Sequence, residues 1–344
     1  MAALPSCAIR PAFVTAVACL ALAACGGGSS TPTSPQPPIT PPVTLAPSIN
    51  WSAAGRLTDT VTGQSIGGAQ VAPTFDLAAV STGSDGSFTL TGTTTPPTNP
   101  YRVAFSADGV VTHDVWLNWE RAARTGIAVD AIRNAAPFSM AFYRQFVRGT
   151  YDTPGAPYVV LRWMDAPRFY VKTVDQNGRP VEPEVLTVVL DAIARAVPAF
   201  TGGRLSAAAI ESGTADRPDT SGWINVIIRR DPNEQQTCGF AFVGSNPGTI
   251  TLNDDVCSCG SRKIPGAVVL HEVGHALGFF HVADRRSIMF PFIAGDCPAG
   301  ELSADERYHS AIAYSRPRGN ADPDTDPSAA RGLAEEMWRG PLVR

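Results

Sequence analysis

One stretch of eleven residues constrains this chain more than any other: His271-Glu272-Val273-Gly274-His275-Ala276-Leu277-Gly278-Phe279-Phe280-His281. His271 and His275 are four residues apart, so on a helix their imidazoles lie one turn apart on the same face and can bind one ion. Gly278 has no Cβ and can adopt the positive φ that ends a helix, which lets the chain turn and bring His281 to the same point. The spacing predicts a helix that ends near Gly278 and a metal site with three histidine ligands.

Glu272 directly follows the first histidine, so its carboxylate is expected beside the metal rather than on it. A carboxylate in that place can take a proton from a water molecule that the metal activates. The prediction is therefore one catalytic Zn²⁺ bound by His271, His275 and His281, with Glu272 as the general base. Calcium binding is not derivable from these residues.

The full pattern, with Met289 in Ser287-Ile288-Met289-Phe290-Pro291, resembles the metzincin zinc peptidases. In that family three histidines bind the catalytic zinc, the glutamate is the general base, and a methionine turn lies beneath the metal. The short interval from His281 to Met289 is most similar to the matrixin branch. Astacin-like and serralysin-like enzymes have a tyrosine where this chain has Pro291. The resemblance covers residues 264 to 292 and implies a zinc-dependent endopeptidase, with Gly278 and Met289 as structural support.

The first residues have the pattern of an export signal. Arg10 precedes an apolar run that is too short to span a bilayer but suits a secretory signal. Leu22-Ala23-Ala24-Cys25 resembles the bacterial lipoprotein signal, in which residues 1–24 are removed and Cys25 is lipidated. Gly26 after the cysteine implies the outer membrane, on the periplasmic or cell-surface side. The alternative is an ordinary cleaved signal peptide and a secreted protein.

Residues 25–48 consist largely of Gly, Ser, Thr and Pro. They cannot bury enough apolar area to offset the entropy of ordering them, so we interpret them as a linker. Over residues 49–130 the pattern changes to short β-prone segments separated by glycine-containing turns, which predicts a small antiparallel β-sandwich. The segment Gly55-Arg56-Leu57-Thr58-Asp59 begins a pattern that resembles the carboxypeptidase-regulatory-like domain. No catalytic set is visible in it, and His113 is expected to be an exposed strand residue.

The zinc peptidase domain is expected over residues 139–316, which gives an α+β chain: a metzincin-type catalytic domain, with a twisted mixed sheet and the zinc helix, after a small all-β sandwich. Helical spacing of apolar residues predicts a helix from Pro183 to Phe200. Trp223 to Arg229 is typical of a central strand. Gly248 to Asn253 alternates as a strand does. In metzincins the strand before the zinc helix forms the upper edge of the cleft, and an exposed edge can pair with an extended peptide. The candidates for substrate pairing are therefore Thr249, Ile250, Thr251 and Leu252; the alternative is a plain structural strand.

The last part of the chain contains one clear helix signal. Ser303, with Glu306 three residues later, predicts a capped helix that runs to about Tyr314, and His309 on it is expected to be exposed. Residues 317–344 are rich in Pro, Asp, Asn and Gly at their start and are predicted to be disordered or to form a short helix.

Four cysteines follow Cys25. In an exported protein an even number implies disulfides, so two are predicted among Cys238, Cys257, Cys259 and Cys297. The close pair Cys257 and Cys259 is expected to bridge elsewhere rather than to each other, which leaves two connectivities. The alternative is that one thiolate occupies the fourth zinc position, as in a structural or latent site.

The composition limits the classes of partner that this chain is expected to bind. A formal net charge of −4 gives no nucleic-acid footprint, and 344 residues that are 44% hydrophobic suffice for two domains. The expected partners are a protein or peptide substrate and a membrane reached through the N-terminal lipid; a monomer is assumed. The alternative function is a surface lipoprotein that binds glycan or protein and has a non-catalytic zinc site. The intact Glu272 argues against it, because a structural site does not require that carboxylate.

Overall fold

The computed structural model describes residues 49–74, 78–94, 101–117, 123–231, 237–254, 264–292, 300–328 and 338–339. Within these ranges the chain is of the predicted α+β class. Its elements in order are β1 (Ile49–Asp59), β2 (Gln70–Pro73), β3 (Val80–Ser81), β4 (Ser87–Thr94), β5 (Tyr101–Ser106), β6 (His113–Leu117), β7 (Ala123–Ala131), α1 (Met140–Arg148), β8 (Arg168–Lys172), α2 (Pro183–Phe200), β9 (Ala209–Gly213), β10 (Trp223–Arg229), β11 (Gly239–Val243), β12 (Gly248–Asn253), α3 (Gly266–Ala276), α4 (Ala304–Ser315) and β13 (Trp338–Arg339).

The first seven strands form two sheets that share one apolar core. The sheet orders are β4-β1-β7 and β3-β2-β5-β6. Along β5 the residues Tyr101, Val103 and Phe105 are buried and the ones between them are not, as the alternation of a half-buried strand requires. Phe88 of β4 meets Phe105 edge to face, with ring centroids 5.2 Å apart. β1 and β7 pair in parallel, so this region is not the purely antiparallel arrangement that the pattern predicts: the chain leaves β6 and re-enters the other sheet in the direction of β1.

A second, six-stranded sheet has the order β13-β11-β12-β10-β8-β9. β9, β8, β10 and β12 are parallel, whereas β11 is antiparallel to β12 and to β13. β12 pairs with β10 along its length and with β11 at Ile250, Thr251 and Leu252, so these three residues do not present a free edge. The predicted substrate edge is therefore wrong for them, and Thr249 lies just outside the pairing with β11. The strand that covers the three residues, β11, carries no clear signal in the sequence.

Helices α2 and α3 pack together in a second core, which they share with this sheet. α3 is buried on all sides, from Ala267 to Ala276. Its last carbonyls have partners from other elements: the indole N–H of Trp163 donates to the carbonyl of Ala276 at 2.8 Å, and the hydroxyl of Tyr314 donates to that of Leu277 at 2.9 Å. These bonds satisfy acceptors that a helix end leaves without an intrahelical partner, and they fix the end of α3.

The segment after α4 differs from the predicted disorder. Residues 317–328 form a loop in which Asn320 and Asp324 are fully buried. The guanidinium of Arg316 donates to both carboxylate oxygens of Asp324, at 2.8 and 2.9 Å. The guanidinium of Arg148, in α1, donates to the side-chain oxygen of Asn320 at 2.5 Å. The polar residues whose composition predicts disorder instead bind two buried arginines, Arg148 and Arg316.

Two histidines that are expected at the surface are also buried. His113 is 3% exposed. Its Nδ1 donates to the carbonyl of Asp130 at 2.6 Å, and its Nε2 lies 3.2 Å from a carboxylate oxygen of Asp326. His309 is fully buried: its Nε2 accepts the N–H of Ser139 at 3.0 Å. Both rings have partners that are distant in sequence.

All the described residues belong to one compact unit, Ala46–Arg344. Among them, no helix has the length and apolar character that crossing a bilayer requires. Cys238 is buried and disulfide-bonded. Cys25, Cys257, Cys259 and Cys297, like residues 1–48, lie outside the described residues, so the lipidation and the disulfide connectivity stay predictions.

Candidate metal centre

The three histidines converge on one point. His271 and His275 extend from consecutive turns of α3, and His281 follows the turn after that helix. The Nε2 atom of His281 lies 3.2 Å from the Nε2 of His271 and 3.2 Å from that of His275. Zinc–nitrogen bonds are about 2.0–2.1 Å long, so two nitrogens on one tetrahedral zinc lie about 3.3 Å apart. The spacing of the three nitrogens therefore fits a single zinc ion.

The other ring nitrogen of each histidine already has an acceptor. The Nδ1 of His271 lies 2.7 Å from the carbonyl oxygen of Ile288, and that of His275 lies 2.8 Å from the carbonyl oxygen of Phe279. The Nδ1 of His281 lies 3.0 Å from a carboxylate oxygen of Asp152. Oxygen acceptors require Nδ1 to carry the proton, so in neutral rings the three Nε2 atoms hold lone pairs. Three lone pairs that face one another at this distance repel unless a cation lies between them.

The turn that brings His281 back depends on Gly278. Its φ is +106°, in the region that favours glycine, and a Cβ there would lie 2.5 Å from the carbonyl oxygen of Leu161. The N–H of Gly278 donates to the carbonyl of His275 at 2.8 Å, which closes the end of α3. Both the backbone conformation and the space exclude a side chain at this position.

Burial keeps the α3 histidines neutral. Loss of solvent, together with the neighbouring His281, lowers the pKa of His271 to about 3. The same two causes, with His271 in addition, lower the pKa of His275 well below its usual value. Neutral imidazoles are the form that binds a metal, so the site does not have to lose protons at neutral pH.

Glu272 is fully buried beside these rings, and neither of its carboxylate oxygens has a hydrogen-bond partner among the described residues. Burial raises the pKa of this carboxyl well above its usual value. A dication on the neighbouring histidines would oppose that shift. The carboxylate lies against β11, because a Cβ built on Gly239 would be 2.6 Å from Oε1 of Glu272. In its ionised form a buried carboxylate without a partner is satisfied by a cation, or by a water that a cation holds.

Met289 packs against α3. A Cβ at Gly274 would be 2.6 Å from the sulfur of Met289, so the two are in direct contact. The N–H of Met289 donates to the hydroxyl of Ser287 at 3.0 Å and to Oε1 of Glu306 at 3.2 Å. The methionine turn is thus fixed to α4 through one buried carboxylate.

The structure brings His271, Glu272, His275, Gly278, His281 and Met289 into one place. It also adds Asp152, Gly239 and the second role of Glu306, which sequence reasoning missed. Only Glu306 has a local signal, as the third residue of the capping box, and that signal does not reveal its bond to the methionine turn. Asp152 and Gly239 have no local signal, because both contacts form between segments distant in sequence.

A second group of possible ligands does not form a metal site. Ligand atoms of His113, Asp324 and Asp326 lie within 4.8 Å of one another. Both carboxylate oxygens of Asp324 already accept bonds from the guanidinium of Arg316. A positive charge therefore occupies the place of the cation, and the group is a salt-bridge cluster.

Comparisons with known proteins support only the pattern around the three histidines. Residues 263–314 match the family model of the matrixins. No curated protein matches the chain. Among solved structures, a protein of unknown function from Bacteroides fragilis is 20% identical, with a TM-score of 0.21, over 27% of this chain and 31% of that one. A DUF3823 family protein from Parabacteroides merdae is 21% identical, with a TM-score of 0.19, over 26% of this chain and 47% of that one.

A third structure, the 5-hydroxyisourate hydrolase of Klebsiella pneumoniae, is 12% identical, with a TM-score of 0.20, over 25% of this chain and 99% of that one. The chain thus spans less than half of the first two structures. At these TM-scores the three similarities support no statement on fold or function. The comparisons contribute the similarity to matrixins over residues 263–314, which include the three histidines and all of α4 except its last residue.

Proposed function

We propose that this protein is a zinc-dependent endopeptidase of the matrixin type. The observation that carries the proposal is the convergence of three Nε2 lone pairs beside a fully buried carboxylate without a partner, that of Glu272. A purely structural zinc site has no need for such a carboxylate, which is costly to bury. The match of residues 263–314 to the matrixin model supports the same reading.

Zinc bound here would polarise the scissile carbonyl and make a water molecule acidic at neutral pH. Glu272 would accept the proton of the attacking water and pass it to the nitrogen of the leaving amine. His271 and His275 are neutral because burial lowers the pKa of both, so their Nε2 atoms present lone pairs to the ion.

We infer that β11, rather than β12, is the strand that an extended substrate meets. Its first residue, Gly239, lies against Glu272, and the N–H of Gly244, directly after the strand, donates to the carbonyl of His275 at 2.9 Å. β11 therefore runs beside the catalytic helix. On the side away from β12, β11 pairs with β13 at Phe242 and Val243. Within the described residues no strand pairs with Gly239, Phe240 and Ala241 on that side, so we infer that this stretch can accept an extended peptide.

The cellular setting is proposed from the sequence. Cys25 is the expected lipidation site, and the protein is expected to be exported, with the metal centre outside the cytoplasm. The disulfide at Cys238 suits an oxidising compartment.

A Glu272→Gln variant tests the reaction. The amide keeps the size of the side chain but cannot accept the proton, so cleavage of a mixed peptide library should fall by about 10²-fold or more. The zinc content per chain should stay at one, because Glu272 is not a ligand. Activity should also disappear when a chelator removes zinc and should return when zinc is added.

Full activity of Glu272→Gln would contradict the assignment of the general base. If the unaltered protein binds one zinc per chain but cleaves no peptide in the library, the alternative of a glycan-binding or protein-binding lipoprotein is favoured. Cleavage at many unrelated sequences indicates a degradative enzyme, and cleavage at one motif indicates the processing of a single partner.

A further inference from the structure

The three histidines of the metal centre are not supported in the same way. The Nδ1 atoms of His271 and His275 donate to backbone carbonyls, whereas that of His281 donates to a carboxylate oxygen of Asp152 at 3.0 Å. The other oxygen of Asp152 accepts the backbone N–H of His281 at 3.4 Å. One carboxylate therefore binds the ring and the main chain of the same residue. The side chains are 9% exposed for Asp152 and 1% for His281, so water screens this contact little.

His281 is the histidine that most needs such support. His271 and His275 are held by α3, which is buried on all sides, but His281 lies after the Gly278 turn and has no helix to fix it. Its loop is held instead by the segment around the end of α1. The N–H of Phe280 donates to the carbonyl of Phe146, and the N–H of Ala283 donates to the side-chain oxygen of Gln145, both at 2.8 Å.

Asp152 is itself fixed by that segment. α1 ends at Gly149 with a φ of +68°, and the N–H of Thr153 donates to the carbonyl of Gly149 at 3.0 Å, which forms the turn that carries Asp152. The rings of Tyr158 and Phe280 stack with centroids 5.1 Å apart and close the turn onto the His281 loop. Among the described residues, the ion-pair partner of Asp152 is His281. The carboxylate is thus held in place without a competing cation.

We propose that Asp152 is a positioning residue of the metal centre, which holds His281 in the orientation and the tautomer that present its Nε2 to the ion. The inference rests on the proposed metal site but not on peptidase activity. A carboxylate behind a metal-binding imidazole fixes the ring and makes it a stronger ligand. Asp152 lies outside residues 263–314, so the segment that resembles matrixins does not contain this support.

The test measures metal binding directly. Asp152→Asn removes the charge but leaves an acceptor, and Asp152→Ala removes both. Competition with a fluorescent chelator should show zinc affinity lowered by about 10-fold in Asp152→Asn and by up to about 100-fold in Asp152→Ala. The cobalt-substituted proteins should show a changed visible absorption band, because the geometry of one ligand is altered. Asp284→Asn is the matched control, since Asp284 lies three residues after His281 and its side chain binds Arg286 instead.

Three outcomes decide the proposal. Weaker zinc binding in the Asp152 variants, with Asp284→Asn unchanged and the thermal stability of the zinc-free proteins alike, supports it. Zinc affinity equal to that of the unaltered protein overturns it. An equal loss of stability with and without zinc, at unchanged affinity, also overturns it, because it shows a role in folding alone. If zinc binding weakens as expected but the unaltered protein cleaves no peptide, this inference stands and the peptidase function fails.

Discussion

At the scale of single residues, Gly239 has no side chain, and this leaves space for the carboxylate of Glu272. A Cβ there would lie 2.6 Å from Oε1 of Glu272 and 2.7 Å from its Cγ, which real structures do not tolerate. The side chain of Glu272 is fully buried and has little room to move away. Gly239 is therefore the residue that lets the carboxylate lie between α3 and β11.

We predict that Gly239→Ala lowers kcat by about 10-fold or more, because a shift of the base away from the reacting water is costly. Zinc content should not change. Gly266→Ala is the matched control. It also adds a methyl group, at the first residue of α3, but the nearest atoms to that methyl group would be 3.7 Å and 4.0 Å away. Steady-state kinetics on a peptide substrate gives the comparison, and equal kcat values in the two variants would refute the argument.

The sequence predicts the ligands of this site but not their support. His271, Glu272, His275 and His281 lie within eleven residues, so helical spacing alone relates them. Asp152 is 129 residues away from the histidine that it contacts. No spacing rule links two residues so far apart, and the fold of α1 has to be known before the contact can be seen.

At the scale of secondary-structure elements, Glu306 joins α4 to the methionine turn. Its Oε2 accepts the N–H of Ser303 at 2.6 Å and so completes the capping box of α4. Its Oε1 accepts the hydroxyl of Ser287 at 2.5 Å and the N–H of Met289 at 3.2 Å. One buried side chain therefore fixes both the start of α4 and the loop that contains Met289.

Glu306→Ala should lower the free energy of unfolding by about 3 kcal/mol, because it leaves several buried donors without an acceptor. Asp305→Ala is the control from the same helical turn: Asp305 is exposed, and its loss should cost about 0.5 kcal/mol through the helix dipole. Urea unfolding of the zinc-saturated proteins measures both values. Similar costs for the two variants would show that Glu306 does not join the elements.

Elements with a strong apolar or β-branched pattern are predictable here, and elements without one are not. α2, β10 and β12 begin and end at the predicted residues, because apolar periodicity and β-branched residues identify them. β11 and β9 have five residues each and contain glycine, so neither has a clear pattern. Since β11 pairs with β12, missing β11 led to the prediction that β12 is an exposed edge.

At the scale of the whole molecule, Arg316 connects the N-terminal sheets to the region of the metal centre. Its guanidinium donates to a carboxylate oxygen of Asp130 at 2.9 Å and to the hydroxyl of Thr60 at 3.0 Å, besides both oxygens of Asp324. The backbone of the same loop bonds to β6, since the N–H of Asp114 donates to the carbonyl of Asp324 at 3.0 Å. This contact is not visible in the sequence, where the loop has the composition of a disordered tail.

We expect His113 to make the stability of this contact, between the N-terminal sheets and the loop after α4, dependent on pH. Burial opposes its protonation, but the carboxylates of Asp326 and Asp324 outweigh burial and the charge of Arg316, so its pKa is raised in the folded protein. A raised pKa adds stability that is complete below the unfolded value of about 6.5 and is lost as the pH rises through the folded value. The pKa of Asp326 is shifted in the opposite direction: burial would raise it, but the bond to His113 lowers it.

We therefore expect the difference in unfolding free energy between the unaltered protein and His113→Gln to be largest near pH 6 and to decrease towards about pH 9. Taking the difference cancels the titration of the metal ligands, which both proteins share. Urea unfolding at several pH values measures it. A difference that is constant or grows with pH would show that His113 is neutral in the folded state.

The position of Arg316 also bears on how proteins of this kind can exchange parts during evolution. A recombination point placed directly after Arg316 would separate this residue from Asp324 and leave a buried guanidinium without its carboxylate. A point placed after β7 would remove Asp130 and Thr60 from the same side chain. The region of the candidate metal centre is therefore expected to be inherited together with the N-terminal sheets and the loop through Asp326, as one unit rather than as interchangeable modules.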